Sequence, residues 1–361
     1  MAWLLGRSWT RRELLERVGD LSQVAGADAF TYRDGVRDGV RGTRVRTGGG
    51  LEFTVLHSRG LDISHAAFRD LPLAWMSQTG EAHPHAFEPE ERGWLRSFYG
   101  GLVTTCGLSN AGAHNTDRGE ALGIHGHISH LPAEEDGAWT EWDGDDATIV
   151  VAGTMREARV FDENLRLVRR IEAPVGGNEI RIEDRVENPG WKTSPLMLLY
   201  HLNFGWPLVS EDTEIVYAAR GPVEPRDPVA ERGLDRWNRL EPPQAGYEEQ
   251  CFFHDVAADA DGTATVLLVN RARQIGVRIA YGQNTLPHLT QWKMMGQGEY
   301  VCGIEPANCR VLGRAAERAA GRLQHIGAGE ERRFRVTLAV LDGAAAIADA
   351  ERAVRALNPD A

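Results

Sequence analysis

The sequence has little cysteine, no surplus of basic residues and no long apolar run, and each shortage excludes a class of protein. Its four cysteines, Cys106, Cys251, Cys302 and Cys309, match no common zinc or redox spacing and are interpreted as reduced thiols of a cytoplasmic protein. The 40 lysines and arginines are dispersed and outnumbered by 52 acidic residues, which argues against a nucleic-acid surface. No window approaches the roughly 20 apolar residues of a membrane span, and charges interrupt the N-terminal segment too early for a signal peptide.

Short runs rich in Val, Ile, Leu, Thr and Phe are what the chain has in quantity, and Gly, Asp, Asn and Pro separate them. This pattern begins near Arg41 and is typical of antiparallel β-sheet. Several runs alternate apolar and polar residues, as a sheet with one wet face requires. The clearest predicted strands are 51–58, 147–152, 165–173, 178–187, 194–202, 264–270, 275–281 and 332–341.

Helix signals lie near the two ends of the chain. Thr10 with Glu13 forms a capping-box pattern that predicts a short helix in 10–21, and the alanine-rich stretch 343–357 predicts a closing helix. We therefore predict an all-β protein, effectively a single domain. Its parts are an N-terminal extension with a short helix over 1–40, a large antiparallel β-sandwich over 41–342, and a C-terminal helix in 343–361.

Two stretches, 83–96 and 222–246, carry few strand signals. Long loops on a rigid sandwich often border a binding site, so we expect these two segments near the functional site.

The segment 300–309, YVCGIEPANC, contains the first candidate catalytic residue. It sets Glu305 at the end of an apolar, strand-like run that Pro306 closes. Burial would raise the pKa of this carboxyl toward neutrality, which suits a general base working near pH 7. The alternative is a strand-end acid satisfied by backbone donors.

Histidines occupy similar apolar surroundings in two other segments, GIHGHISH over 123–130 and LLYHLNFGWP over 198–207. An acid and several histidines on separate strands suggest one shared cavity. The alternative is that the histidines are core residues satisfied by backbone partners, with the true site in the 222–246 loop.

Taken together, these motifs resemble the aldose 1-epimerases, or sugar mutarotases, and in particular a divergent bacterial branch. His125-Gly126 resembles the first mutarotase His-Gly, the segment from His201 through Asn203 resembles the second histidine motif, and Gly303-Ile-Glu305-Pro306 resembles the glutamate strand. The resemblance covers about residues 41–341. It implies a galactose mutarotase-like β-sandwich with a sugar cleft, and a mechanism without a cofactor.

The resemblance also implies roles for these residues in exchanging the α and β anomers of an aldose. Glu305 would remove the proton of the anomeric hydroxyl while His201 protonates the ring oxygen. His125 would hydrogen-bond the sugar, and Asn203 would contact it or hold the segment after His201. Typical members have an arginine shortly after the first His-Gly; here the stretch reads His127-Ile-Ser, so His127 is the candidate replacement and the identity of the sugar stays open.

Four further residues are candidate sugar ligands. Arg59 and Asp62 at a strand end could clamp substrate hydroxyls or a carboxylate, or form a structural ion pair at a turn. Trp292 and Lys293 could supply a stacking face and a charged contact, although tryptophan is more often a core residue.

Two functions of other classes remain open on the sequence. His125, His127, His201 and Glu305 are a credible ligand set for one divalent metal ion in a metal-dependent sugar isomerase or lyase. A non-catalytic carbohydrate-binding protein could use the same cavity. In every case the expected partner is a small carbohydrate, with neither nucleic acid nor membrane, and exposed strand edges would also allow a homodimer.

Overall fold

The computed structural model describes residues 2–357, which fold mainly as β-strands. Within that range the strands are β1 Ala2–Leu4, β2 Arg7–Trp9, β3 Gly26–Thr31, β4 Arg41–Arg46, β5 Leu51–Leu56, β6 Asp62–Phe68, β7 Leu71–Pro72, β8 Val103–Leu108, β9 Asn115–Asp117, β10 Glu120–Leu122, β11 Glu134–Asp143, β12 Asp146–Ala158, β13 Asn164–Pro174, β14 Glu179–Glu187, β15 Ser194–Gly205, β16 Thr213–Tyr217, β17 Glu224–Pro225, β18 Gln250–His254, β19 Thr263–Asn270, β20 Ile275–Gly282, β21 His288–Gly296, β22 Glu299–Ala307, β23 Gln324–Ile326 and β24 Glu331–Asp342. The α-helices are α1 Arg11–Leu15, α2 Pro228–Glu231, α3 Arg314–Ala319 and α4 Ala344–Arg355. No helix in this range is long and apolar enough to cross a membrane.

Two large antiparallel sheets form the body of the protein. The first has the order β17-β18-β21-β22-β15-β8-β6-β5-β4-β3, with β23 added to β15 and β7 to β6. The second has the order β11-β12-β13-β14-β24-β20-β19-β16. Apolar side chains of both sheets share one core, so the sheets pack face to face as a β-sandwich, as predicted.

The alternation of the sequence explains which faces are buried. In β13 every second residue is buried along the whole strand, and β14 follows the same rule, so one face of each enters the core. Strand β15 differs because it is buried almost throughout. It lies between β22 and β8 in the middle of the first sheet, where both of its faces are covered.

The eight predicted strands all form, with ends shifted by several residues. The predicted N-terminal helix is shorter than expected, since α1 ends at Leu15, but its capping box is present: Thr10 and Glu13 exchange side-chain to backbone hydrogen bonds. The predicted closing helix corresponds to α4. The sheet also begins earlier than residue 41, because β3 pairs with β4 along its full length and makes part of the expected extension an edge strand.

A buried ionic network joins the two sheets. Arg169 on β13 donates to Asp184 on β14 (2.6 Å and 2.9 Å) and to Asp62 on β6 (2.9 Å), and none of the three side chains is exposed. The Tyr200 hydroxyl on β15 donates to Asp184 at 2.7 Å. Since β6 and β15 belong to the first sheet and β13 and β14 to the second, the network ties the layers together with hydrogen bonds.

Candidate active site

A cavity of about 330 Å³ lies against four neighbouring strands of the first sheet. His201 on β15, Glu305 on β22, Trp292 on β21 and Cys251 on β18 line it from the sheet. Loops complete the wall with, among others, Trp94, Phe98, His125 and Arg226. The cavity therefore combines a rigid floor made of strands with a rim made of loops.

Larger hollows of the protein have a different character, and two of them illustrate it. One of about 590 Å³ lies on the second sheet among surface residues such as Arg170, Glu183 and Arg185, whose side chains form ion pairs. Another of about 810 Å³ lies between the loop around Glu91 and the end of β12. Neither contains the buried Glu305 or His201, so the smaller cavity is the candidate site.

Strand register explains why Glu305 and His201 meet. Leu199 pairs with Ala307 and Leu202 with Ile304, so the antiparallel register between them sets His201 across from Glu305. Directly opposed residues hold their Cβ atoms about 4.5–5.5 Å apart. The side chains then close the gap, with His201 Nε2 3.2 Å from Glu305 Oε1.

Gly303 leaves room for this pair. It lies two residues before Glu305, on the same face of β22, and pairs with Trp292. A Cβ at Gly303 would lie 3.0 Å from Glu305 Oε1 and 3.0 Å from the Trp292 Cβ. The missing side chain lets the carboxylate and the indole share one face of the sheet.

Burial shifts the two titrating groups in opposite directions, because it disfavours the charged form of each. It raises the pKa of Glu305 to about 8; the Glu249 carboxylate adds to this rise, and Arg226 opposes it. Burial lowers the pKa of His201 to about 4, against a smaller upward effect of the Asn203 side chain. Near neutral pH the pair is uncharged overall.

His125 is fixed by the loop that carries it. Its Nδ1 accepts a hydrogen bond from the Gly112 N–H at 3.3 Å, which leaves Nε2 as the protonated nitrogen. Its backbone N–H donates to the Gly112 carbonyl at 2.9 Å. Burial, and secondarily His201, holds the His125 pKa well below its usual range, so the ring is a neutral donor.

The glycine after His125 is needed for close backbone approach. Gly126 has φ +72°, and a Cβ there would lie 2.3 Å from the Asn110 carbonyl oxygen and 2.4 Å from that of Gly107. The His-Gly motif of the sequence therefore reflects a turn packed against the end of β8.

Aromatic rings form much of the wall. The His201 ring centroid lies 5.3 Å from those of Phe98 and Trp292, and the His125 centroid lies 4.7 Å from that of Trp94. Trp94 and Phe98 stack on each other at 4.5 Å. Trp292 thus lies where the sequence predicted a stacking face, whereas Trp94 and Phe98 were not among the predicted site residues.

Arg226 and Glu249 occupy the side of the cavity near Trp292. Arg226 donates to Asp227 at 2.7 Å and to Glu249 at 3.0 Å, and a third nitrogen lies 2.9 Å from Cys251 Sγ. Glu249 also accepts from the Trp292 indole N–H at 2.9 Å. The only sequence signal for Arg226 was its place in the 222–246 loop, and for Trp94 its place in 83–96.

The predicted clamp of Arg59 and Asp62 is wrong. Both side chains are fully buried away from the cavity and have different partners. Arg59 donates to the carbonyls of Ser129, Ala82 and Ser97 at 2.7–3.0 Å, which fixes three loops. Asp62 belongs to the network around Arg169 and accepts from Thr105, so the predicted ion pair between the two is absent as well.

Lys293 and His127 also lie outside the cavity. Lys293 follows Trp292 on β21 and therefore faces the other side of the sheet, where its ammonium pairs with Glu241 at 2.6 Å. His127 is exposed, lines the hollow near Glu91 and contacts Phe87, with ring centroids 5.4 Å apart. The interpretation of these two residues as sugar ligands is therefore corrected.

Asn203 supports the site from within the sheet. It is fully buried and its amide donates to the His201 carbonyl at 2.9 Å and to the Gly101 carbonyl at 3.0 Å. It holds the strand that carries His201.

The alternative metal set is not brought together. His125, His201 and Glu305 share the cavity, but His127 points into another hollow. Over residues 2–357, no group of three or more His, Cys, Asp or Glu side chains has a geometry suited to holding a metal ion.

Comparisons with known proteins agree with this architecture. A family model described as a domain of unknown function, DUF4432, matches residues 37–340. A candidate aldose 1-epimerase from Klebsiella pneumoniae is 22% identical, with a TM-score of 0.89 over 94% of this chain and 91% of that chain. A galactose 1-epimerase from Lactobacillus acidophilus is 14% identical, with a TM-score of 0.58 over 88% of this chain and 99% of that chain.

A galactose mutarotase-like protein from Clostridium acetobutylicum is 13% identical, with a TM-score of 0.56 over 89% of this chain and 99% of that chain. No curated protein matches by sequence. At these identities the likeness establishes the fold, which is the galactose mutarotase-like β-sandwich predicted from the sequence.

Proposed function

The chain belongs to the DUF4432 family, and we propose that this member exchanges the α and β anomers of an aldose by acid–base catalysis. The observation that carries the proposal is the pair formed by Glu305 and His201, 3.2 Å apart at the base of an aromatic-walled cavity. Hemiacetal opening needs one group to take a proton and another to give one, and this pair supplies both.

The opposed pKa shifts suit such an exchange. Between the two pKa values, about 4 for His201 and about 8 for Glu305, the pair holds one exchangeable proton in total. That proton rests on Glu305 when both groups are neutral. Its transfer to His201 Nε2 gives a carboxylate and an imidazolium with no change in net charge, and these are the base and the acid that the reaction requires.

In the proposed reaction the Glu305 carboxylate removes the proton of the anomeric hydroxyl. His201 delivers its proton to the ring oxygen as the bond from that oxygen to the anomeric carbon breaks, which yields the open-chain aldehyde. Rotation about the adjacent carbon–carbon bond presents the other face of the carbonyl. The reverse transfers close the ring as the other anomer and return the proton to the starting form of the pair.

The surrounding residues can orient a sugar. Trp292 is partly exposed and offers an apolar face to the carbon–hydrogen surface of a pyranose, while the buried rings of Trp94 and Phe98 back the wall. The Nε2–H of His125 offers a neutral donor for the ring oxygen or a hydroxyl, because the Gly112 N–H occupies its other nitrogen. Each such group fixes the orientation that the proton transfers require.

We propose that these steps need no cofactor. The two reacting groups are side chains of the chain itself, and the four-residue metal set that the sequence suggested is divided between two hollows. Exchange that persists unchanged after dialysis against a chelator would support side-chain catalysis, whereas restoration by one equivalent of metal would contradict it.

Replacement of Glu305 by Gln tests the proposal. We expect Glu305→Gln to lower the exchange rate by about 10²–10⁴-fold, because the amide cannot accept the hydroxyl proton. The measurement is two-dimensional exchange NMR on a panel of aldoses, with the uncatalysed rate subtracted. His201→Asn should show a loss of similar size.

The matched control is Glu299→Gln, because Glu299 is an exposed residue at the start of the same strand. Sugar affinity of each variant is measured by calorimetry and folding by thermal unfolding. If Glu305→Gln folds and exchanges anomers as fast as the wild type, Glu305 is excluded as the base. If the wild type binds sugar but does not accelerate exchange, catalysis is excluded and a carbohydrate-binding role remains.

A further inference from the structure

Arg92 is a cationic group of the cavity without a protein partner. It lies at the start of the 3-10 helix Gly93–Ser97, is exposed and lines the cavity. Among residues 2–357, no ion pair, side-chain hydrogen bond or aromatic contact engages its guanidinium. Its acidic neighbours Glu90 and Glu91 line the other hollow.

The second arginine of the cavity is already paired, since two carboxylates hold it and the three side chains together carry one net negative charge. Arg226 is held by two carboxylates, those of Asp227 and Glu249, and its third contact is to Cys251. Its hydrogen-bonding capacity is therefore largely used within the protein, in contrast to that of Arg92.

The base of the cavity carries no compensating negative charge near neutral pH. The Glu305 and His201 pair is uncharged overall, and burial keeps His125 neutral. Burial also raises the pKa of the Cys251 thiol well above its usual range, so no thiolate is present. Within the described chain, no group at the base of the cavity pairs with Arg92, so its guanidinium is available to bind a ligand.

The position of Arg92 separates it from the chemistry. Glu305 is 2% exposed, whereas Arg92 is exposed at the rim. A sugar whose anomeric carbon reaches Glu305 would have a substituent remote from that carbon near the rim. A guanidinium recognises a carboxylate or a phosphate there through paired N–H donors.

We propose that the substrate is an aldose bearing an anionic substituent, a carboxylate or a phosphate, and that Arg92 binds this group. The proposal rests on the anomer exchange proposed above and defines the class of sugar that undergoes it. Arg92 is accordingly a specificity residue.

The test compares sugars that differ only in charge. Exchange NMR gives kcat/KM for glucose, glucuronate and glucose 6-phosphate, and for galactose and galacturonate. We expect the wild type to prefer at least one anionic sugar over its neutral counterpart by about tenfold or more, and the carboxylate and phosphate arms to show which anion is bound. Arg92→Gln should reduce that preference by about tenfold.

Arg96→Gln is the matched control. Arg96 lies in the same 3-10 helix, is 73% exposed in its side chain and pairs with Glu88 at 3.0 Å, but does not line the cavity. The variant removes the same charge and should keep the preference of the wild type. A neutral sugar preferred by the wild type, or equal preferences in the two variants, would overturn the assignment of Arg92.

A binding measurement separates this proposal from the proposed function. Calorimetry of Glu305→Gln with glucuronate and glucose 6-phosphate, alone and combined with Arg92→Gln, reports anion recognition without turnover. Loss of affinity on removal of Arg92, combined with a wild type that exchanges no sugar, would sustain the anion site and reject the epimerase. Exchange of neutral sugars alone, with no anion binding, would support the epimerase and reject the anion site.

Discussion

At the residue scale, Glu305 shows how burial creates an acid–base group. The carboxyl is surrounded by strands β15, β21 and β22, and its nearest charged neighbours, Glu249 and Arg226, act in opposite directions on its pKa. Desolvation is the largest influence, so the carboxyl holds its proton at neutral pH unless a partner accepts it. His201 Nε2, 3.2 Å from Glu305 Oε1, is close enough to accept it.

The rate of anomer exchange should depend on pH through both groups of the pair. Above about pH 8 Glu305 loses its proton and the pair lacks an acid; below about pH 4 His201 is also protonated and the pair lacks a base. We expect kcat/KM for anomer exchange to be highest between these values and to fall on both sides. The profile is measured by exchange NMR after subtraction of the buffer-catalysed rate.

Glu249→Gln tests whether Glu305 is the group that causes the alkaline fall of kcat/KM. The Glu249 carboxylate raises the pKa of Glu305, so its removal should move the alkaline fall of kcat/KM to lower pH. An alkaline fall that stays in place or moves upward would show that another group controls it.

At the element scale, strand register places the reacting pair and a tight turn places His125. The turn depends on Gly126, whose Cα lies against two carbonyl oxygens. An alanine there would meet backbone at 2.3 Å and 2.4 Å, and only movement of the chain could relieve the contact.

We predict that Gly126→Ala lowers the free energy of unfolding by about 2–5 kcal/mol, from left-handed strain and overpacking together. The rate of anomer exchange should also fall in this variant, because the turn that positions His125 moves. Gly119→Ala is the control, since Gly119 has φ +87° but no atom within 4 Å of its added Cβ. Urea unfolding should show a smaller loss for Gly119→Ala; equal losses would mean that the close approach at Gly126 is unimportant.

The comparison of sequence with structure is clearest for neighbouring residues of one element. The apolar surroundings of His201 and Glu305 in the sequence predicted an acid and a histidine in one shared cavity, and both are buried side chains that line it. Trp292 and Lys293 were assigned to one cleft, although successive residues of a strand face opposite sides. His125 and His127 were assigned to one site, but His125 has φ +59° and the segment turns between them.

No local sequence pattern could predict which loop side chains reach the cavity. Trp94 and Arg226 reach the cavity because loops far apart in sequence meet there. The only sequence signal for these two residues was the shortage of strand signals in 83–96 and 222–246. That shortage predicts a loop but does not specify which of its side chains faces the cavity.

At the scale of the whole molecule, the network of Arg169, Asp62 and Asp184 joins the two sheets. Its members are unexposed, so loss of one partner leaves buried charge without compensation. This explains why Asp62, although located at the strand end that the sequence singled out, serves the fold.

We predict that Arg169→Leu lowers the free energy of unfolding by about 3–5 kcal/mol, because two buried carboxylates lose their cation. The adjacent Arg170→Leu removes the same charge from the outer face, where Arg170 pairs with the half-exposed Glu141, and should change stability by about 1 kcal/mol or less. The stabilities of the two variants are measured by equilibrium unfolding in urea. Similar losses in the two variants would contradict a special role for the network.

The origin of the cavity residues has a further consequence. The proton-transfer pair belongs to hydrogen-bonded strands whose register cannot shift by one residue without turning both side chains to the opposite face. Arg92, Trp94 and Arg226 belong to loops, which tolerate substitution and insertion. If the proposed function holds, strands carry the proton-transfer pair and loops carry the recognition surface. Selection, natural or in the laboratory, could then change which sugar is accepted by altering the rim while the pair is kept.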